Sequence, residues 1–346
     1  MSDSSHRSTD ADGVADDGDR ETESRNIVEA VRSGLHDEMA RDEDVLLLGE
    51  DIGKTGGVFR ATEGLYEEFG EERVVDTPLA EVGIVGSAIG LAASGLRPVA
   101  EIQFMGFMYD TVGQLFTRAA RLNARSRGYY NCQMVLRVPF TGGIRAPDMH
   151  GESMEAILTH QPGLKVLAPS TPYDAKGLLV SAIRDPDPVI FLEPKNIYRA
   201  FKEPVPEGPY EVPMGEASVR REGTDISVFT WGAMTRPTLA AAEELAGEID
   251  VEVVDLRSMW PLDRETIVES FKRTGRAAVV HEAPKTGGLA GEITSTIQEE
   301  ALLYQEAPVE RITGYDVVYP LYDLEDYQLP NTVRIREGIK EAVGFP

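Results

Sequence analysis

The chain has 346 residues, 42% of them hydrophobic, and a formal net charge of −25, so we expect a folded and strongly acidic protein. The charge argues against nucleic acid as a partner, because no basic stripe is present to neutralise phosphates. Asp and Glu are scattered along the chain, and arginine far outnumbers lysine. This pattern is typical of proteins that stay soluble in concentrated salt, and we expect a halophilic source.

Residues 1–25 are polar, acidic and poor in aromatic side chains, which predicts a disordered tail. They contain no apolar segment of the kind that directs secretion. The single cysteine, Cys132, excludes an intrachain disulfide and a cysteine-rich zinc site. The longest apolar run, residues 82–95, is too short and too rich in glycine to span a bilayer. We therefore expect a cytoplasmic protein without a membrane association.

From residue 26 to residue 193, amphipathic helices alternate with short apolar strands. Strands are predicted at residues 45–48, 74–76, 98–102, 134–138, 165–167 and 189–192, and one long helix is predicted over residues 109–125. Nearly continuous apolar strands that alternate with helices predict a parallel sheet covered on both faces. This segment is expected to be one α/β domain.

Between residues 194 and 213 the periodicity disappears and prolines accumulate among charges, which predicts a linker. Residues 214–346 resume the alternation and predict a second α/β domain. The fold class is therefore α/β, with two doubly wound domains.

The most informative stretch is residues 74–95, where a strand and a turn lead into an almost wholly apolar helix. Glycines at positions 83, 86 and 90 cost about 1 kcal/mol each in helix propensity, and they predict that another backbone packs closely against that face. Glu81 is the only charge between Asp76 and Arg97. It is either a functional carboxylate at the start of a buried helix or a first-turn acid favoured by the helix dipole.

Several kinds of site are excluded because their motifs are missing. The sequence contains no phosphate-binding loop of the Gly-x-x-x-x-Gly-Lys type, no Gly-x-Ser-x-Gly elbow and no His-Glu-x-x-His helix. The glycines of residues 83–90 do not have the dinucleotide spacing, and Glu81 would repel a pyrophosphate.

Three of the five histidines lie where a role is conceivable. His150 ends the long loop of residues 140–151, and that location favours function, since catalytic groups concentrate on loops above rigid sheets. His160 closes a helix and His281 follows an apolar strand, so both are interpreted as structural. His6 lies in the tail and His36 on a polar helix face.

The motifs of this chain resemble those of one family. They are Gly49-Glu50-Asp51, Gly56-Gly57-Val58-Phe59-Arg60, Asp76-Thr77-Pro78-Leu79-Ala80-Glu81, Arg97 to Phe104, His160 to Val166 and His281-Glu282-Ala283. Together they are similar to the beta subunit of the thiamine-diphosphate-dependent 2-oxo acid dehydrogenases, which act on pyruvate, branched-chain 2-oxo acids or acetoin. The resemblance implies an N-terminal pyrimidine-type domain, a C-terminal transketolase-like domain, and decarboxylation of a 2-oxo acid with acyl transfer to a lipoyl group.

The resemblance also implies roles for individual residues. Glu81 would bind the aminopyrimidine ring of thiamine diphosphate, Phe107 would stack on that ring, and Leu79 and Gln103 would line its pocket. His150 would donate or orient a proton during reductive acylation. This sequence reads Gly151-Glu152 where the family usually has Ser-Gln, which places an extra acid beside the histidine.

Two further expectations concern ions and partners. A structural potassium ion is expected near Ala182, Asp185 and Asp187. The Gly-Asp-Gly…Asn signature that binds Mg²⁺ and the diphosphate is missing, so an alpha subunit would supply it within a heterotetramer of two alpha and two beta chains. The C-terminal domain would help to dock the lipoyl acyltransferase core.

The sequence does not identify the 2-oxo acid, and other functions remain open. The chain could be an acetoin-cleaving or transketolase-like enzyme with the same glutamate, or a non-catalytic assembly subunit that keeps the fold.

Overall fold

In the computed structural model, which describes residues 20–346, the N-terminal half alternates strands and helices as predicted. Its strands are β1 Thr22–Arg25, β2 Val45–Gly49, β3 Val74–Asp76, β4 Arg97–Glu101, β5 Val135–Phe140, β6 Lys165–Leu167, β7 Val189–Pro194 and β8 Glu203–Pro206. Its helices are α1 Ile27–Arg41, α2 Leu65–Phe69, α3 Glu81–Ala93, α4 Val112–Thr117, α5 Leu122–Arg125, α6 Glu155–Thr159 and α7 Pro172–Arg184.

The C-terminal half repeats this alternation. Its strands are β9 Ser218–Arg221, β10 Ile226–Thr230, β11 Val251–Asp255, β12 Ser258–Trp260, β13 Ala277–Pro284 and β14 Glu310–Gly314. Its helices are α8 Thr235–Glu244, α9 Arg264–Thr274, α10 Ala290–Ala301, α11 Glu325–Gln328 and α12 Thr332–Val343.

Two main sheets organise the molecule. The first has the order β12-β6-β7-β5-β4-β2-β3, and its strands are parallel except for β12, which runs antiparallel to β6. The second has the order β14-β13-β10-β11-β9 and is parallel except for β9. Every residue of β2, β5 and β7 is buried, as expected of strands covered by helices on both faces.

Local sequence explains where the main N-terminal helices begin. Asn26 accepts a hydrogen bond from the backbone of Glu29, whose side chain accepts one from Asn26, so a capping box starts α1. Thr171 caps α7, and Pro172 occupies its first turn. These two helices pack along each other against one face of the first sheet.

Three predictions of local structure differ from the structure. Residues 22–25, predicted to belong to the tail, form β1, which pairs antiparallel with β8 inside the predicted linker. Residues 1–19 of that tail lie outside the described residues. The single helix predicted over residues 109–125 is divided into two 3-10 helices, Met105–Thr111 and Ala119–Arg121, and the short α4 and α5. Finally, β12 belongs to the predicted second domain but joins the first sheet.

Among residues 20–346, no helix is both long and apolar enough to cross a membrane.

Candidate active site

The carboxyl ends of four neighbouring parallel strands, β3, β2, β4 and β5, define the candidate site. Glu50 follows β2, Glu81 follows β3 at the start of α3, Gln103 follows β4, and His150 lies in the loop after β5. Since carboxyl ends of parallel strands lie at one edge of a sheet, these side chains share that edge. We call it the carboxyl edge.

Helix α3 presents Glu81 at this edge but is less buried than predicted. Its inner face buries Ile84, Val85, Ala88 and Ala92. The opposite face is open, and Glu81 itself is only half-buried. Leu79 is 80% exposed and Val82 is 41% exposed. A Cβ atom added at Gly86 or Gly90 would meet nothing within 4 Å. In this chain by itself, the predicted burial of the helix therefore holds for its inner face only, and no other backbone of the described residues packs against Gly86 or Gly90.

Glu50 is a site residue to which the sequence analysis assigned no role. Its Oε1 atom is buried and has no hydrogen-bond partner within residues 20–346. Burial raises the pKa of Glu50, and the nearby negative charge of Glu81 raises it further, while a hydrogen bond from the backbone of Ala80 lowers it. The signal in the sequence was a carboxylate directly after a buried strand, in Gly49-Glu50-Asp51.

Gln103 links β4 to the end of β2. Its side-chain amide donates to the carbonyl of Glu50 at 3.4 Å and lies 3.5 Å from the carboxylate of Asp51. Gln103 is half-buried, so it lines the edge beside Glu50.

His150 packs against two aromatic rings that follow β4. Its ring centroid is 4.2 Å from that of Phe104 and 5.2 Å from that of Phe107. Its Nδ1 atom lies 2.8 Å from the carbonyl oxygen of Asp148. Because a carbonyl only accepts, Nδ1 carries the proton of this bond and Nε2 is left for other partners. The structure thus brings together Phe107 and His150, two residues that the resemblance singled out.

The two departures from the family pattern have distinct surroundings. The hydroxyl of Tyr109 donates to Glu152 at 3.4 Å. Burial raises the pKa of Glu152, and the hydrogen bond from Tyr109 opposes that rise. Gly151 is buried, and a Cβ at this position would collide with the ring of Tyr319 from the C-terminal domain.

The residues expected near a potassium ion lie away from the carboxyl edge, at the end of α7. The ammonium of Lys165 lies 2.6 Å from the carboxylate of Asp185 and 3.3 Å from that of Asp187. The carbonyl of Ala182 accepts from the backbone of Asp185. Both carboxylates already have a cationic partner, so their side chains do not fit a cation site, and only backbone carbonyls could serve as the expected ligands.

The other histidines among residues 20–346 lie apart from the carboxyl edge, and His6 lies outside the described residues. His281 is buried and stacked on Trp231, with ring centroids 5.3 Å apart. Burial lowers its pKa to about 4, so the ring is neutral at pH 7. His160 is exposed, and His36 lies within reach of Asp37 and Glu68 on the outer face of α1.

The first domain has a parallel sheet with two neighbouring carboxylates at its edge, and a second α/β domain follows it. Together they define a subunit built from transketolase-type domains. Residues 23–200 match the family model for the transketolase pyrimidine binding domain. Residues 215–335 match the model for the transketolase C-terminal domain.

The curated relatives narrow this class. A pyruvate dehydrogenase E1 component subunit beta from Bacillus subtilis is 49% identical over 320 residues, which are 92% of this chain and 98% of that protein. Proteins of the same name from Staphylococcus epidermidis and Staphylococcus aureus are 48% identical over the same shares. The chain belongs to the family of beta subunits of thiamine-diphosphate-dependent 2-oxo acid dehydrogenases.

Solved structures support the fold. A split-gene transketolase, described as an inactive beta4 tetramer, superposes with a TM-score of 0.74 at 21% identity and covers 93% of this chain and 99% of its own. A transketolase from Leishmania mexicana superposes with a TM-score of 0.63 at 15% identity, covering 93% of this chain and 46% of its own. At these identities the likeness concerns the fold alone.

Proposed function

We propose that this chain is the beta subunit of a pyruvate dehydrogenase E1 component, which decarboxylates pyruvate oxidatively and transfers the acetyl group to a lipoyl group. The observation that carries the proposal is the grouping of Glu50, Glu81, Phe107 and His150 along one sheet edge. The names of the relatives at 48–49% identity favour pyruvate as the substrate.

The residues at the carboxyl edge fit the pyrimidine end of thiamine diphosphate. The buried Oε1 of Glu50 has no hydrogen-bond partner within residues 20–346, and the apolar side chain of Leu79 is exposed, so a polar and an apolar group are available to a ligand. Phe107 is half-buried and offers a ring face for stacking. When bound, the cofactor supplies the electron sink for decarboxylation.

Glu81 would accept a hydrogen bond from the aminopyrimidine ring and hold a proton at the ring nitrogen. Glu50 is a second carboxyl at the same edge. The negative charge of Glu81 would favour the protonated form of Glu50, since two neighbouring carboxylates resist being ionised together. His150 would place Nε2, the atom not engaged by Asp148, where the acyl acceptor arrives. That atom would hold or deliver the proton that acyl transfer requires.

The proposal includes an alpha subunit and an assembly of two alpha and two beta chains. The missing diphosphate signature and the open glycine face of α3 both support a partner that completes the site. The same assembly would present the C-terminal domain to a lipoyl acyltransferase core. A potassium ion bound by backbone carbonyls near Ala182 remains part of the proposal.

Branched-chain 2-oxo acids and acetoin are the alternative substrates. A non-catalytic assembly subunit is disfavoured by the fixed orientation of His150, whose Nδ1 donates to the carbonyl of Asp148 and whose ring packs against those of Phe104 and Phe107. Such pre-orientation is expected of a functional group.

The test is co-expression with the alpha subunit, followed by decarboxylation assays with pyruvate, branched-chain 2-oxo acids and acetoin. Glu81→Gln should lower decarboxylation by about 100-fold or more, because it removes the proton-holding carboxylate while keeping the shape. Glu67→Gln, at an exposed glutamate of α2, is the matched control and should leave the rate of decarboxylation unchanged. Full activity of Glu81→Gln would refute the catalytic proposal and favour an assembly subunit.

A further inference from the structure

The loop of residues 141–151, which carries His150, is held by the C-terminal domain. Glu282 accepts a hydrogen bond from the backbone N–H of Gly142 at 2.7 Å. Glu325 accepts one from the N–H of Gly143 at 2.6 Å. Both carboxylates are buried, so the beginning of the loop is fixed by groups that are themselves packed in place.

Tyr319 adds a steric contact to these hydrogen bonds. Its hydroxyl accepts from the N–H of Gly143 at 3.2 Å. A Cβ added at Gly142 would collide with the phenol oxygen, and one added at Gly151 would collide with the ring. Neither glycine has a positive φ, so what these positions need is space for Tyr319. The ring therefore fills the volume between the two ends of the loop.

The backbone of this loop is strained and needs such support. Thr141, Arg145 and Met149 have φ values of 81°, 53° and 67°, a region that non-glycine residues rarely adopt. Strain of this kind persists only where the surroundings over-determine the conformation. Arg145 is also tied to the C-terminal segment, with ion pairs of 3.1 Å to Asp323 and 3.0 Å to Asp326.

The other side of the loop faces the site. The carbonyl of Met149 lies against Gly106, where a Cβ would collide with it, and the adjacent His150 ring contacts Phe104 and Phe107. A shift of the loop would therefore move the imidazole relative to the carboxyl edge.

We propose that Tyr319 is a positioning residue for His150: it wedges between Gly142 and Gly151 and fixes the strained loop from the C-terminal domain. Gly151 is its required counterpart, because a serine there would occupy the same space. This proposal depends on the proposed function in one respect, which is the reaction that His150 is taken to serve.

The first measurement does not depend on that function. Trypsin cleavage after Arg145 is followed by mass spectrometry in the full-length chain alone. Tyr319→Ala should raise the cleavage rate about fivefold or more, since cleavage follows the population of the open loop. Tyr319→Phe keeps the ring and should stay within about twofold of the parent chain. Tyr327→Ala removes a tyrosine that is 73% exposed in the same segment and should have no effect.

The second measurement tests the pairing of Tyr319 with Gly151. Gly151→Ser should open the loop as Tyr319→Ala does, because the serine and the phenol ring compete for one space. The double variant should be cleaved more slowly than Gly151→Ser alone, since alanine at 319 makes room. The proposal would be overturned if the double variant is cleaved as fast as Gly151→Ser, or if Tyr319→Ala is cleaved no faster than the parent chain.

The third measurement uses the enzyme co-purified with its alpha subunit. Tyr319→Ala should slow lipoyl acylation about tenfold or more, while decarboxylation measured with a dye oxidant stays within about twofold. Equal losses in both assays, or none in either, would contradict a role through His150. If the parent enzyme decarboxylates no 2-oxo acid, the proposed function fails, and the two cleavage measurements still decide the role of Tyr319.

Discussion

Arg137 is a buried charge at the centre of the first sheet and joins three neighbouring strands. From β5 it donates to Glu101 on β4 at 2.6 Å, and to both oxygens of Glu193 on β7 at 2.6 and 2.9 Å. Tyr198 donates to the same Glu193 at 2.5 Å. One guanidinium thus serves two carboxylates beneath the carboxyl edge, and its fork geometry suits the bidentate pair with Glu193.

We predict that Arg137→Met lowers the free energy of unfolding by about 3–5 kcal/mol, because two buried carboxylates lose the guanidinium that pairs with them. Denaturant unfolding of the full chain would measure this loss. Arg118→Met, at an exposed arginine, is the control and should change stability little.

A second variant keeps this prediction testable if Arg137→Met fails to fold. Adding Glu101→Gln and Glu193→Gln removes the uncompensated charges, so the triple variant should be more stable than the single one. If the triple variant is less stable than Arg137→Met, the loss of stability comes from the packing of the arginine side chain rather than from its charge.

Helix α3 is the element in which sequence and packing disagree most visibly. Its sequence is apolar throughout, yet the glycine face is open in the single chain, and a Cβ at Gly83 would contact only Ala80 at 3.5 Å. Glycines in a helix are costly, and they are explained where a second backbone comes close. The open face is therefore expected to be a contact surface in the assembled protein.

We predict that Gly86→Leu leaves the isolated chain folded and prevents its assembly with the alpha subunit. Space around Gly86 is open, so leucine adds helix propensity of roughly 1 kcal/mol to the single chain. The same side chain would hold a close partner away from the helix. Size-exclusion chromatography with light scattering after co-expression would measure assembly, and thermal unfolding would measure the single chain.

The control for this prediction is Gly291→Leu in α10, another helical glycine with open space around it. It should leave assembly intact. Normal assembly of Gly86→Leu would show that the open face of α3 is not a partner surface.

The elements that sequence predicts best are those whose signal is local. The alternation of apolar strands and helices gave both α/β domains, and the carboxylate after β3 and the histidine of the β5 loop pointed to the carboxyl edge. The four short helical pieces in place of one helix over residues 109–125 were missed, because the apolar periodicity continues through them while the α-helical backbone is interrupted.

At the scale of the whole molecule, the features that sequence did not predict join residues far apart in the chain. Strand β1 pairs with β8, and almost the whole N-terminal domain lies between them in the sequence. Tyr319 meets Gly143 over a separation of 176 residues. The partners of Arg137 are 36 and 56 residues away. No local pattern encodes such pairings, so the support of the His150 loop became visible only in the folded chain.

The surface of the molecule carries more acid than its cations can neutralise. Arg264, for example, faces Glu292, Glu299 and Glu300 at 3.1–3.4 Å, so one positive charge serves three negative ones. Exposed pairs of this kind contribute little to stability individually. Across a net charge of −25, repulsion between acids therefore outweighs the attraction within the pairs at low ionic strength.

We predict that raising KCl from 0.1 M to about 2 M increases the Tm of the full chain by about 5 °C or more. The Debye length falls from about 10 Å at 0.1 M to about 3 Å at 1 M, which removes most repulsion between neighbouring acids. Relief of roughly 4 kcal/mol would produce such a shift, because the unfolding entropy of a chain of 346 residues is about 0.7 kcal/mol per degree. NaCl at equal ionic strength is the control. An equal rise means screening, whereas a larger rise in KCl would indicate that the folded chain binds potassium specifically. A Tm that is unchanged or lower in molar KCl would contradict adaptation to salt, because a surface with this charge gains stability from screening wherever repulsion dominates.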